Sequence, residues 1–392
     1  MNERRERTVL AAVVGAVLLA QVLLYPGIDT LVARWTGATA LDAGMWFLAT
    51  EFAAFVAFAG VWGSVSDATG RRVPLIVGGA VAGSALYGLL AALPPSVPFE
   101  LVLLVRALQG GATIAAFSLS MTMLMDLGGG HGRNMGAAGI AIGAGTALGA
   151  PIGGQLYGVS PTLPLAAAGG LLFAVALLAT LVTDRAPTGR GGRVTDALGR
   201  LGETPALTIP FAFGFIDRLT AGFFALVGTL YFREAFGLTP GETGLMLGLF
   251  FAPFALLQYP FGVLSDRVGR TVPIAVGSSL YGLAVIAVGL APTVLTAGVG
   301  MVLVGVIGAL MAPATMALVT DLVDGSGRGT AMAGFNAAGS LGFFAGIVAG
   351  GLVAGEFGYP AAFVVAGGAE IALAVGALPR LLGLEAAAEP AG

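Results

Sequence analysis

The chain has 392 residues, 57% of them hydrophobic and only 10% charged. Soluble domains carry about 25% charged residues, so this chain could not cover a water-facing surface, and lipid must be its main solvent. With a net charge of −3, no Cys, no Lys and one His (His131), disulfides, thiolate metal sites and a Cys nucleophile are excluded. A His metal cluster and a P-loop lysine are excluded too. The 18 Arg residues are scattered through short loops and form no concentrated patch for nucleic acid.

In chain order, runs of the roughly 20 apolar residues that a bilayer core requires recur repeatedly. Residues 8–28, 73–99, 107–125 and 329–355 contain no charge. Residues 134–183 and 271–320 are each long enough for two helices, with turn signals at Ser160, Pro161 and Pro164 and at Pro292. Segments carrying single charges around Glu51, Asp217 and Glu370 bring the expectation to about twelve spans. The first run exceeds the usual h-region of about 7–15 residues and reads as a span rather than a cleaved signal. Arg4, Arg5 and Arg7 precede it, and Arg71, Arg72, Arg133, Arg185, Arg190, Arg193, Arg200, Arg267, Arg270, Arg328 and Arg380 fall at alternate ends of later spans. The positive-inside rule then predicts both termini to be cytoplasmic, with Arg34 and Arg233 outside. An Arg- and Gly-rich stretch divides the chain into 1–184, a linker at 185–205, and 206–392. Within the linker, 194–201 is compatible with a short surface helix.

An internal repeat organises the two halves. Gly63, Ser66, Asp67, Gly70, Arg71, Val73 and Pro74 recur, at one offset, as Gly262, Ser265, Asp266, Gly269, Arg270, Val272 and Pro273. Downstream, Asp126 with Gly132 and Arg133 recurs as Asp321 with Gly327 and Arg328. Parallel repeats of this kind suit a transporter of two related bundles. The 63–74 stretch resembles the loop signature G-x-x-x-D-x-x-G-R between helices two and three of the major facilitator superfamily. Residues 262–273 resemble its second-half echo, and Arg106, Gln109 and Gly110 resemble R-x-x-Q-G of helix four. The resemblance covers the whole chain and implies an all-α membrane fold of about twelve helices in two pseudo-symmetric six-helix bundles. Gly145, Gly149, Pro151, Gly153 and Gly154 are similar to the G-x-x-x-G-P-x-x-G-G motif of proton-coupled antiporters, with Pro151 one place late. The same glycines also read as a helix-packing stripe.

Several polar residues stand out as candidates. In the repeated loops, Asp67 is expected to face the N-terminus of helix eleven and Arg71 to pair with Asp126. The counterparts are Asp266 facing helix five and Arg270 pairing with Asp321. Together they would form a conformational latch; the plain alternative is solvated loop charges. Charges within spans are functional candidates by default. The acids Glu51, Asp217, Asp29 and Glu370, in that order, are candidate proton carriers, with Glu370 also suited to pairing with a neighbouring helix. Arg106, with Gln109 and Thr113 on one helical side, reads as cavity-facing or as a structural arginine. Arg218 reads as a substrate contact or as half of a self-neutralising pair with Asp217. Gln21, Tyr25, Gln258 and Tyr259 complete the candidate lining, with Phe215, Phe223, Met311 and Met316 as apolar walls. Pro26 and Pro260 are expected to bend their helices.

The resulting expectation is a monomeric, multi-pass transporter of the cytoplasmic membrane, with no cofactor or metal and no enzymatic activity. It would work by alternating access, with proton-coupled efflux of a small hydrophobic or amphiphilic compound as the leading reading. Sugar or organic-anion transport is the alternative, and a non-transporting sensor or scaffold is the alternative of another class.

Overall fold

The computed structural model describes residues 3–128, 131–184, 204–323 and 327–388; the 194–201 segment and nearly all of the linker lie outside them. Among the described residues there are twelve helical spans and no strand. The first bundle is built from α1 (Glu3–Val32), α2 (Ala40–Thr69), α3 (Val73–Ala92), α4 (Phe99–Asp126), α5 (His131–Tyr157) and α6 (Leu163–Ala179). The second half contains α7 (Pro205–Phe236), α8 (Pro240–Val268), α9 (Thr271–Gly289), α10 (Val294–Asp321), α11 (Arg328–Phe357) and α12 (Tyr359–Ala388). All but α6, a 17-residue apolar helix, have the length and composition to cross a membrane. Large apolar side chains such as Ile140, Leu256, Leu295 and Phe357 stand exposed, which only lipid makes tolerable.

Helix ends follow the local chemistry. Gly70 (φ 64°) and Gly269 (φ 85°) close α2 and α8 in the left-handed conformation, which is why the repeated loop carries glycine there. Thr39 accepts a hydrogen bond from the Asp42 N–H at the start of α2, and Thr293 forms a capping box with Thr296 at the start of α10. Pro26 sits in a 3₁₀ turn, Tyr25–Gly27, that interrupts α1 near its end, as expected from its missing N–H. Pro253 and Pro260 both lie inside α8, which continues through them as helix.

The chain packs as two compact units, Met1–Gly191 with Phe232–Gly248, and Gly192–Tyr231 with Leu249–Gly392. In the first, α1 packs on α5, and α3 packs on both α4 and α6. In the second, α7 packs on α11, and α9 packs on both α10 and α12. The repeat seen in the loops is therefore also a repeat of helix pairing. The pairs approach closely through glycine: a Cβ at Gly346 would stand 1.9 Å from the Leu219 carbonyl oxygen, and one at Gly342 would stand 2.0 Å from that of Phe215. Because lipid supplies no hydrophobic drive between helices, this contact area is what holds α7 on α11.

Gly346→Ala should therefore lower thermal stability in detergent by about 1–3 kcal/mol, the usual cost of overpacking. Gly376→Ala, where a Cβ meets nothing within 4 Å, should be close to neutral. Equal melting temperatures for the two variants would show that the α7–α11 contact does not have this role.

Candidate functional site

The most enclosed polar group of the first bundle is built from α2, α3 and α4. Glu51 and Arg106 are both fully buried and form an ion pair, with Nη2 of Arg106 donating to Oε2 of Glu51 at 2.6 Å. Arg106 Nη1 donates to Gln109 Oε1 at 2.6 Å, and Gln109 Nε2 donates to Thr113 Oγ1 at 2.8 Å. The 3- and 4-residue spacing stacks these side chains on one side of α4. From α3, the Tyr87 hydroxyl donates to Glu51 Oε1 at 3.4 Å. The guanidinium carbon lies 4.5 Å from the Phe47 ring centroid and 5.6 Å from that of Tyr87, so the cation is also held by aromatic faces. Gln21 and Tyr25 of α1 are buried, and Gln21 Nε2 finds no hydrogen-bond partner among the described residues. Gly110 makes the approach possible, since a Cβ there would stand 2.9 Å from the Glu51 carbonyl oxygen.

Glu51 and Arg106, considered separately from the sequence, are thus one unit. Arg106 does not extend freely; it is fully enclosed by Glu51, Gln109, Phe47 and Tyr87. Tyr87 and Phe47 were not singled out by sequence reasoning. A usable signal existed for Tyr87: Leu86, Tyr87, Gly88 and Leu89 recur as Leu280, Tyr281, Gly282 and Leu283, and both tyrosines are buried.

The repeated loops bring together a second set. Arg270 donates to Asp266 Oδ1 at 2.6 Å, to Asp321 Oδ2 at 3.0 Å and to Ser265 Oγ at 2.6 Å. Partial burial works against its charge, yet the hydrogen bonds to Asp266 and Asp321 hold its pKa above the ordinary arginine value. In the first half the pairing differs from expectation. Asp126 is joined by Arg72, not Arg71, at 2.5 Å, and Arg71 is exposed. Arg72 and Arg270 each occupy the cap position before their helix, whereas Arg71 lies one residue earlier. The first loop is one residue longer before its helix begins, which moves the cap, and the side chain aimed at the acid, from Arg71 to Arg72. Asp184 fixes that start by accepting from the backbone N–H groups of Arg72 and Val73 at 3.0 and 3.2 Å. Nearby, Arg7 donates to Asn134 Oδ1 and to the Gly128 carbonyl, both at 2.6 Å. Arg7 therefore has a specific structural role beyond orienting the chain. Asp67 is half-buried.

Other candidates are dispersed. Asp29 is not a solvated acid: it pairs with Arg233 at 2.8 Å. Glu370 is fully buried and accepts from the Ser278 hydroxyl of α9, while its Oε2 has no partner among the described residues. Asp217 is half-buried and Arg218 exposed, and no ion pair joins them among the described residues. Their roughly 100° separation on α7 accounts for this. Tyr259 is 83% exposed and Gln258 half-buried. Phe223 and Met311 are buried, and Phe215 and Met316 half-buried. The helix-five glycines pack: a Cβ at Gly145 would stand 2.4 Å from the Gly15 carbonyl oxygen, and one at Gly153 2.1 Å from that of Leu23. Gly149 faces Val22, Gly154 faces Pro240, and Pro151 lies within α5 beside Gly248. No cluster of potential metal ligands occurs among the described residues.

Removing one member of the buried pair should cost more than removing both. Arg106→Met leaves the Glu51 charge uncompensated and should destabilise the protein by about 3–5 kcal/mol, whereas adding Glu51→Met should recover most of that loss. Thermal unfolding of the three proteins in detergent measures the difference; additive losses would mean the two charges do not compensate each other.

The sequence profile of the Major Facilitator Superfamily matches residues 10–228 and again 210–391. A tetracycline resistance protein of class G from Vibrio anguillarum is 28% identical over 297 residues, covering 71% of this chain and 72% of that protein. The human organic anion transporter MFSD10 superimposes with a TM-score of 0.69 at 20% identity, over 96% of this chain and 99% of its own. A D-xylose-proton symporter superimposes with a TM-score of 0.73 at 15% identity, over 94% and 96%. The two solved structures establish the fold, and the paired profile matches agree with the repeated loops and repeated helix pairing: the chain is a multi-pass membrane protein of the Major Facilitator Superfamily.

Proposed function

We propose that the protein is a secondary active transporter that exports a small hydrophobic or amphiphilic compound in exchange for protons, by alternating access. The observation that carries this reading is the buried Glu51–Arg106 pair. A proton placed on Glu51 removes the carboxylate charge and leaves Arg106 enclosed without its counter-ion, a change costing several kcal/mol in a dry interior. Protonation is thereby converted into a drive to repack α2, α3 and α4. No soluble energy source is needed, and the absence of lysine leaves no P-loop to bind ATP. The similarity to a tetracycline resistance protein supports a drug-like substrate. In this reading the protein acts as a monomer in the cytoplasmic membrane with both termini in the cytoplasm, consistent with the distribution of arginine.

A second reading rests on the same arginine. If an organic anion, or a sugar presenting acceptor oxygens, displaces the Glu51 carboxylate, Arg106 and Gln109 become its ligands. Both readings use the loop clusters in one way. Arg72–Asp126 and Arg270–Asp266–Asp321, with Asp67, act as a cytoplasmic latch that forms and breaks as the protein changes state.

Purified protein in weakly buffered detergent, challenged with tetracycline, tetraphenylphosphonium, xylose and an aromatic carboxylate in turn, tests the assignment. The cation or tetracycline should release protons, and Glu51→Gln should abolish the release while ligand binding persists. Binding of the carboxylate or the sugar alone, without proton movement, would replace the first reading with the second. For the latch, Arg72→Ala should slow transport severalfold in proteoliposomes while Arg71→Ala does not; equal effects would refute the assignment of the latch to Arg72.

A further inference from the structure

Where the start of α1 meets the start of α3 and the end of α4, the first bundle encloses a cavity of about 20 Å³. It is lined by the charged side chains of Glu6, Arg72 and Asp126 and by Met123, Leu127 and Val182. That volume holds one water molecule and little more. Two of the charged walls are deeply enclosed, Glu6 at 1% and Arg72 at 4% exposure. Arg72 Nη1 donates to Asp126, while the buried Arg72 Nε has no hydrogen-bond partner among the described residues. A buried donor left in that state costs more than the bond it would form contributes, and an enclosed carboxylate is stable only with donors around it.

Glu6 is held at the cavity by its neighbour. Arg7 bonds Asn134 and the Gly128 carbonyl, and Asn134 Nδ2 donates in turn to the Leu127 carbonyl at 2.6 Å. The start of α1 is thereby fixed against the end of α4. The two halves differ at this point. Arg270 bonds two carboxylates directly, Asp321 and Asp266, and Ser265 as well. In the first half, no hydrogen bond joins Arg72 to Asp67 or Ser66 among the described residues, and Ser66 Oγ has no partner there. An acid stands in the first turn of α1, whereas the start of α7 has none.

We infer that the cavity binds one water, which accepts from Arg72 Nε and donates to the carboxylates of Glu6 and Asp126. Arg72 then serves two acids, as Arg270 does, with Glu6 in the place that Asp266 holds in the second half. A water suits this site better than a metal cation, because the guanidinium charge forms one wall and offers a donor. Asp126 is exposed, as is Thr183, which also borders the cavity, so the water is supplied from bulk solvent. Its meaning in transport rests on the latch reading: the first-half cluster joins α1, α3 and α4, and its opening releases all three.

Val182 is buried and lines the cavity, so Val182→Ile places one further methylene in it. That methylene displaces the water, and the melting temperature in detergent should fall by about 2–4 °C, the effect of losing one hydrogen bond. In a Glu6→Leu background, where the water has lost a partner, Val182→Ile should no longer lower it. Arg72→Lys keeps the charge but removes the Nε donor; it serves as a second background should Glu6→Leu fail to fold, and should abolish the fall likewise. A rise on Val182→Ile alone, as filling a dry cavity gives, would overturn the inference. So would an equal fall in every background, the mark of simple overpacking. Melting needs no substrate. Failure of every compound to be transported would refute the transport reading and leave the water site standing, whereas transport with equal falls in all backgrounds would refute the water site alone.

Discussion

A hydrocarbon environment offers neither donors nor acceptors, and every charge placed in it must be satisfied by the protein itself. The Glu51–Arg106 pair is the point at which this constraint acts most strongly. Both side chains are fully buried, and their mutual attraction roughly balances the cost of dehydrating them. Such a pair adds little net stability, but separating it is expensive. Gln109, Thr113 and Tyr87 extend the pair into a hydrogen-bonded chain. The helices that supply these groups are therefore fixed relative to one another for as long as Glu51 is charged. Any event that neutralises or displaces the carboxylate acts on three helices at once.

Glycine is what lets these polar groups meet. Gly110, one residue after Gln109, brings α4 against the Glu51 backbone. Gly83 brings α3 against the Thr113 hydroxyl, and Gly145 and Gly153 bring α5 onto α1. In water, hydrophobic burial could hold a looser pair of helices together. In lipid only close contact and hydrogen bonding remain. Close approach through glycine recurs in the described helices, and Gly145, Gly149, Gly153 and Gly154 of the helix-five run all make such contacts.

The features that the sequence disclosed are those written along one dimension. Span number follows from hydropathy, and the two halves follow from repeated loops whose glycines are required by positive φ at Gly70 and Gly269. Pairings across the fold were far less legible. Glu51 and Arg106 are 55 residues apart and Asp29 and Arg233 are 204 apart, and nothing in either local sequence names the partner. Arg71 and Arg72 illustrate the limit at its narrowest. They are adjacent and chemically identical, and the repeat aligns Arg71 with Arg270, yet a cap shifted by one residue hands the contact to Arg72. Side-chain direction at a helix start depends on that single residue of register, which alignment by identity does not resolve.

The same distinction separates what the repeat preserves from what it does not. Both halves pair their first helix with their fifth and their third with their fourth and sixth. The intramembrane charges do not follow this symmetry. In the first half an acid on the second helix meets an arginine on the fourth. In the second half, Glu370 lies on the last helix and meets the Ser278 hydroxyl of the third. A hydroxyl can satisfy one oxygen of a carboxyl group but cannot offset its charge. The two acids therefore experience protonation differently: at Glu51 it breaks a charge pair, while at Glu370 it relieves an uncompensated charge and disturbs no ion pair. Helix pairing is reproduced because it depends on small residues spaced along a helix, a property that survives many substitutions. Charge pairing needs two particular residues and is lost with either one, so a proton-coupling role argued for one half does not transfer to the other by symmetry.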